Sequence, residues 1–82
     1  MTHLELSEKF KSQLKKLKDE EIQTRVKTVL KELLANPHGG KPLRYSLKGF
    51  RAVRIGKYRL IYAVEGDVVK VYAIEHRKEV YR

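Results

Sequence analysis

The chain has 82 residues, with 19 lysines and arginines against 10 aspartates and glutamates, and no cysteine. That length predicts a single domain over residues 1–82 with one ordinary hydrophobic core, and the lack of cysteine excludes a disulfide framework or a thiolate metal site. The formal net charge of +9 is uneven: residues 43–82 carry 10 basic and 4 acidic groups, residues 1–42 carry 9 and 6. Such a field attracts nucleic acid, anionic lipid or an acidic protein, the alternative being the solvated basic surface of a heat-adapted protein.

Thr2 to Leu6 alternates Leu4 and Leu6 with polar neighbours, predicting a short strand, and Ser7 stands where a helix N-cap belongs. The charge at Glu5 and the lack of a sustained apolar run predict no secretory signal, and no segment reaches the length of a membrane span, so the expectation is a soluble, cytoplasmic protein. Phe10, Leu14 and Leu17 then recur at helical spacing. Asp19 is placed to cap a second helix, Glu20 and Glu21 suit its positive end, and Ile22, Val26, Val29, Leu30 and Leu33 form its apolar stripe, ending near Asn36-Pro37. The two stripes describe a helical hairpin with one apolar side, which must cover a sheet.

His38 to Pro42 reads as a flexible loop, and Leu43 to Leu47 as a brief strand or extended segment. The stretch FRAVRIGKYRLIYAV, Phe50 to Val64, predicts two strands joined by a Gly-first turn at Gly56-Lys57. That register sets Ile55 opposite Tyr58, Arg54 opposite Arg59, Val53 opposite Leu60 and Ala52 opposite Ile61. Like charges directly opposite on a sheet cost roughly 0.2–1 kcal/mol, a pairing that a polyanionic ligand would relieve. Gly66-Asp67 is a second turn, leading into a strand from Val68 to Ile74. The fold class is therefore α+β: an N-terminal strand, a two-helix hairpin, then three to four antiparallel strands with the helices on one face.

With a two-residue second turn, Val64 opposes Val69, Tyr62 opposes Val71 and Leu60 opposes Ala73, making the face that belongs under the helices. The other face would carry Ala52, Arg54, Arg59, Ile61, Lys70, Tyr72, Ile74 and His76, with nothing left to cover it. Cations mixed with aromatics suit phosphate binding and base stacking, against the plainer reading of a solvated outer face. The ending His76-Arg77-Lys78-Glu79-Val80-Tyr81-Arg82 adds more of the same chemistry, or is a solvated tail.

The pattern LKGFRAVRIGKYRLIY (Leu47 to Tyr62), followed by HRKEVY (His76 to Tyr81), resembles the RelE branch of the RelE/ParE toxin superfamily over nearly the whole chain. The resemblance implies a type II toxin that cleaves messenger RNA in the ribosomal A site, metal-independent and without a cofactor, monomeric when free. Its partners would be the ribosome, messenger RNA and a RelB-like antitoxin, with which it would form a higher-order complex. Arg59 matches the family's phosphate-stabilising arginine, Arg54 a basic residue on the preceding strand, Arg77 the arginine near the C-terminus and Tyr81 the tyrosine that meets the substrate nucleotide. Where many members carry a second basic residue this chain has Ala52, which leaves His76 as a substitute general base, since an ordinary histidine titrates near neutrality. A strand-end histidine packed on Tyr72 is the alternative, and Glu75 or Glu79 are further carboxylate candidates. Arg51, Lys57, Lys70, Tyr72, Lys78 and Arg82 are the expected RNA-binding residues. His3 and His38 lack partners at metal-ligand spacing, so no metal is expected. Other readings are a ParE-like protein that binds DNA gyrase without cleaving anything, and a catalytically silent antitoxin-binding relative.

Overall fold

A computed structural model of the protein describes residues 2–76. Strand β1 (His3–Leu6) leads into α1 (Glu8–Lys16) and α2 (Glu20–Ala35). There follow β2 (Lys41–Pro42), a 3-10 turn (Tyr45–Leu47), β3 (Arg51–Ile55), β4 (Tyr58–Glu65) and β5 (Val68–His76). The helices start where their caps dictate: the Ser7 hydroxyl accepts from the Phe10 amide, and the Asp19 carboxylate accepts from the amides of Glu21 and Ile22. The side-chain amide of Gln23 donates to the Leu17 carbonyl, which ties the short link between helices to the second of them.

The five strands run in the order β1-β5-β4-β3-β2. β1 pairs with β5 in parallel, and the other neighbours are antiparallel. Phe10, Ile22, Val26 and Leu33 from the helices pack with Ile55, Leu60, Tyr62, Val69, Val71 and Ile74 from the sheet. Full burial of an aliphatic or aromatic side chain contributes about 1.5–3 kcal/mol, so this single layer of contacts is what holds helices to strands.

The β3–β4 register is the one expected, Arg54 opposite Arg59 included. Gly56 and Gly66 have φ of 58° and 59°, while Lys57 and Asp67 stay out of the positive-φ region, as Gly-first turns require. Two expectations are corrected. Leu43–Leu47 holds no strand; the extended pair lies earlier, at Lys41–Pro42, an edge position that tolerates proline. The β4–β5 ladder starts as expected, Val64 on Val69 and Tyr62 on Val71, and then slips, so that Ile61 pairs with Ala73 and Leu60 with Ile74 rather than Ala73. Tyr72 is the extra residue of a bulge, and every side chain after it changes face. Ile74 thereby joins the core under the helices.

Candidate nucleic-acid interface

On the sheet face away from the helices, Arg54 and Arg59 are cross-strand neighbours at the hairpin end. Next to them β2 pairs with the start of β3, Lys41 with Ala52 and Pro42 with Arg51. The result is an open pocket of about 800 Å³ lined by Lys41, Pro42, Leu43, Arg44, Ala52, Arg54 and Arg59. Four of these seven residues are cationic and none is acidic. Arginine presents a planar fork of donors that stays charged, so the pocket is fitted to an anion with several oxygens, such as a phosphodiester.

Loop 37–40 fixes this arrangement from behind. The buried Tyr62 hydroxyl donates to the Pro37 carbonyl at 2.9 Å and accepts from the Gly40 amide at 2.8 Å. Arg51 donates from the same guanidinium nitrogen to the carbonyls of His38 (3.2 Å) and Gly40 (2.8 Å). These bonds hold the chain just ahead of Lys41. Arg51, expected to bind RNA, is therefore spent on the loop on the other face from Arg54 and Arg59.

The bulge divides the remaining expected residues. His76 pairs with Tyr58, their rings meeting edge to face at 5.4 Å, on the helix-covered side. The expectation that it joins Arg54 and Arg59, or packs on Tyr72, is thus corrected: one inserted residue inverts the alternation, and Glu75 takes the place opposite Arg59. Glu75 also meets the Lys9 ammonium at 3.5 Å. Lys70 and Tyr72 line a different pocket, of about 300 Å³, with Glu5, Phe50 and Glu65. There Lys70 contacts Glu65 at 2.5 Å, and the hydrogen bond it donates to that carboxylate, then the carboxylate's charge, raise the lysine pKa above its ordinary range. The Tyr72 ring lies 5.7 Å from that of Phe50, with the Lys9 ammonium 5.1 Å from its centre. These contacts, with buried Ala52, Ile61 and Ala73, show that the outer face is not the bare surface expected. Lys57 is exposed in the hairpin turn. Arg77, Lys78, Tyr81 and Arg82, with Glu79, lie outside the described residues.

Lys41 and Arg44 were not singled out by their sequence. Their signal was available only as two cations on either side of Pro42-Leu43; what brings them to the pocket is the β2–β3 pairing, which a two-residue strand does not announce.

The family described as the ParE toxin of type II toxin-antitoxin systems matches residues 4–81. The chain belongs to this toxin family. Toxin RelE of Mycobacterium tuberculosis is 34% identical to it over 83 residues, which span 98% of this chain and 86% of that protein. The crystal structure of a RelBE toxin-antitoxin complex from the same organism superposes with a TM-score of 0.79 at 28% identity, covering 93% of this chain and 98% of that one. A YoeB/ParE toxin from Agrobacterium tumefaciens shares the fold, with a TM-score of 0.82 at 17% identity over 92% and 98% of the two chains. The protein is a RelE-like type II toxin, as the two sequence motifs implied.

Proposed function

We propose that this toxin blocks translation by cleaving messenger RNA on the ribosome, with Arg54 and Arg59 gripping the phosphate at which the strand breaks. The observation that carries the reading is the pair of opposed arginines in a pocket whose other cations are Lys41 and Arg44. In the reaction the 2′-hydroxyl oxygen bonds to the adjacent phosphorus as its proton leaves, the bond to the 5′-oxygen breaks, and that oxygen takes up a proton. Negative charge grows on the non-bridging oxygens meanwhile, and guanidinium donors brought to those oxygens in the bound complex would stabilise it. The reading gives this task to arginines rather than to a metal ion. Arg77 and Tyr81 complete the site in the proposal, with Lys57, Lys78 and Arg82 on the flanking RNA. The inhibitor is assigned as an antitoxin, as the toxin-antitoxin complex from Mycobacterium tuberculosis supports, and the net charge of +9 favours an acidic one.

Translating ribosomes incubated with the toxin and read by primer extension test this directly. The wild type is expected to cut with codon periodicity, and Arg59→Ala to lower the rate about 10²- to 10³-fold, the usual loss for one preorganised donor, at an unchanged Tm. Cleavage at the wild-type rate by Arg59→Ala would remove Arg59 from the site. An uncut message together with inhibited gyrase supercoiling would replace the nuclease by the gyrase-binding reading that the family's ParE description also admits.

A further inference from the structure

Tyr45 has a φ of 60°, the single non-glycine residue with positive φ among the described residues. A Cβ in that region crowds the following carbonyl, so glycine is the residue that stability alone would place there. The side chain recovers nothing by packing, since the residue is 93% exposed. The backbone is nonetheless held: the Leu47 amide donates to Arg44 and the Lys48 amide to Tyr45. A rigid, strained turn therefore carries an aromatic ring into solvent immediately after Arg44, which lines the basic pocket. Tyr72, the other exposed tyrosine among the described residues, differs, being engaged by Phe50 and Lys9 at the second pocket.

Single-stranded nucleic acid is bound by this combination: cations along the backbone, and an aromatic ring beside them on which an unpaired base stacks. We propose that Tyr45 stacks on a nucleobase of the RNA strand, next to the phosphates held by Arg44, Arg54 and Arg59. The inference rests on the nuclease reading of that pocket and adds to it a fixed position for one base. Stacking tolerates any base face, so Tyr45 sets how firmly the strand is seated rather than which base is read.

The test compares wild type, Tyr45→Phe and Tyr45→Gly for cleavage on programmed ribosomes, for Tm, and for inhibition by the antitoxin. Tyr45→Gly removes the ring and relieves the φ strain together. It is expected to keep or raise the Tm while kcat/KM falls about 5- to 150-fold, the range for losing one base–aromatic stack. Tyr45→Phe keeps the ring and should cleave like the wild type. Unchanged cleavage by Tyr45→Gly overturns the inference and leaves the nuclease reading intact. A Tm that falls along with cleavage makes Tyr45 a structural residue, and intact cleavage with lost inhibition assigns the ring to the antitoxin; either result also overturns it. A wild type that cleaves nothing overturns the nuclease reading and this inference with it.

Discussion

Tyr62 shows how one side chain links the core to the pocket. Its ring is buried under the helices, and its hydroxyl bridges Pro37 and Gly40, the two ends of the turn that delivers Lys41. Tyr62→Phe keeps the packing and strands the buried Gly40 amide, which costs about 1–3 kcal/mol. Thermal denaturation should register that as a Tm drop of about 4–8 °C per kcal/mol. Gly40→Ala attacks the same contact from the other side, because a Cβ there would lie 2.7 Å from Tyr62 Cε1. That variant is expected to lower the Tm and also to weaken cleavage, since β2 must shift to make room. The alternation of YRLIYAV made Tyr62 legible as a core residue. Its hydroxyl partners were not legible, because they come from a loop 22 and 25 positions earlier in the chain, in a stretch whose glycines signal only flexibility.

At the scale of elements, β5 carries the largest departure from expectation. β1 ends at Leu6, so beyond Val71 no described strand pairs with β5 on that side, and Ser7, the cap of α1, and Gln13 in α1 supply hydrogen-bond partners there. The Ser7 hydroxyl donates to the Tyr72 carbonyl at 2.5 Å, and the Gln13 side-chain oxygen accepts from the Ile74 amide at 2.9 Å. Side chains thus finish what a longer β1 would have bonded, and the bulge lies where the partner changes from strand to helix. Gln13→Ala should speed hydrogen exchange at the Ile74 amide while exchange at Val69 and Val71 stays slow; equal protection at all three would deny Gln13 that role. The hairpin and helix boundaries were legible because turns and caps need particular residue types at particular places. The slip at Tyr72 was not, since Val71, Tyr72, Ala73 and Ile74 are all apolar and leave no alternation to break. His76 consequently lies on the helix-covered side, opposite to what alternation alone predicts, while Arg54 and Arg59, ahead of the slip, lie where alternation places them.

At the scale of the whole molecule, the helices carry cations as well, and on the outer sheet face positive charge is concentrated at one end. One end of the outer face gathers Lys41, Arg44, Arg54 and Arg59, whereas the other pairs Lys70 with Glu65 and sets Tyr72 beside Phe50. Exposed charges separated by more than about 8 Å are screened at physiological salt. An acidic antitoxin drawn in by this field should therefore associate more slowly and bind less tightly as salt rises, measurable by titration calorimetry between low and high ionic strength. Salt-independent binding would place the antitoxin on apolar surface instead. No helix among the described residues is long and apolar enough to cross a membrane.

The strand order has a consequence for the protein while it is being made. β5 is the last described strand to be synthesised, yet it lies between β1, the first, and β4. Until β5 has left the ribosome, β1 lacks its partner, β4 has one open edge, and the core lacks Val69, Val71 and Ile74. The β3–β4 hairpin can pair locally, but pairings distant in sequence form late, after the entropy of closing the intervening chain has been met. A nascent copy thus carries Arg54 and Arg59 on a hairpin whose β4 edge is still open, and the described core is complete only when the chain through β5 has closed between β1 and β4.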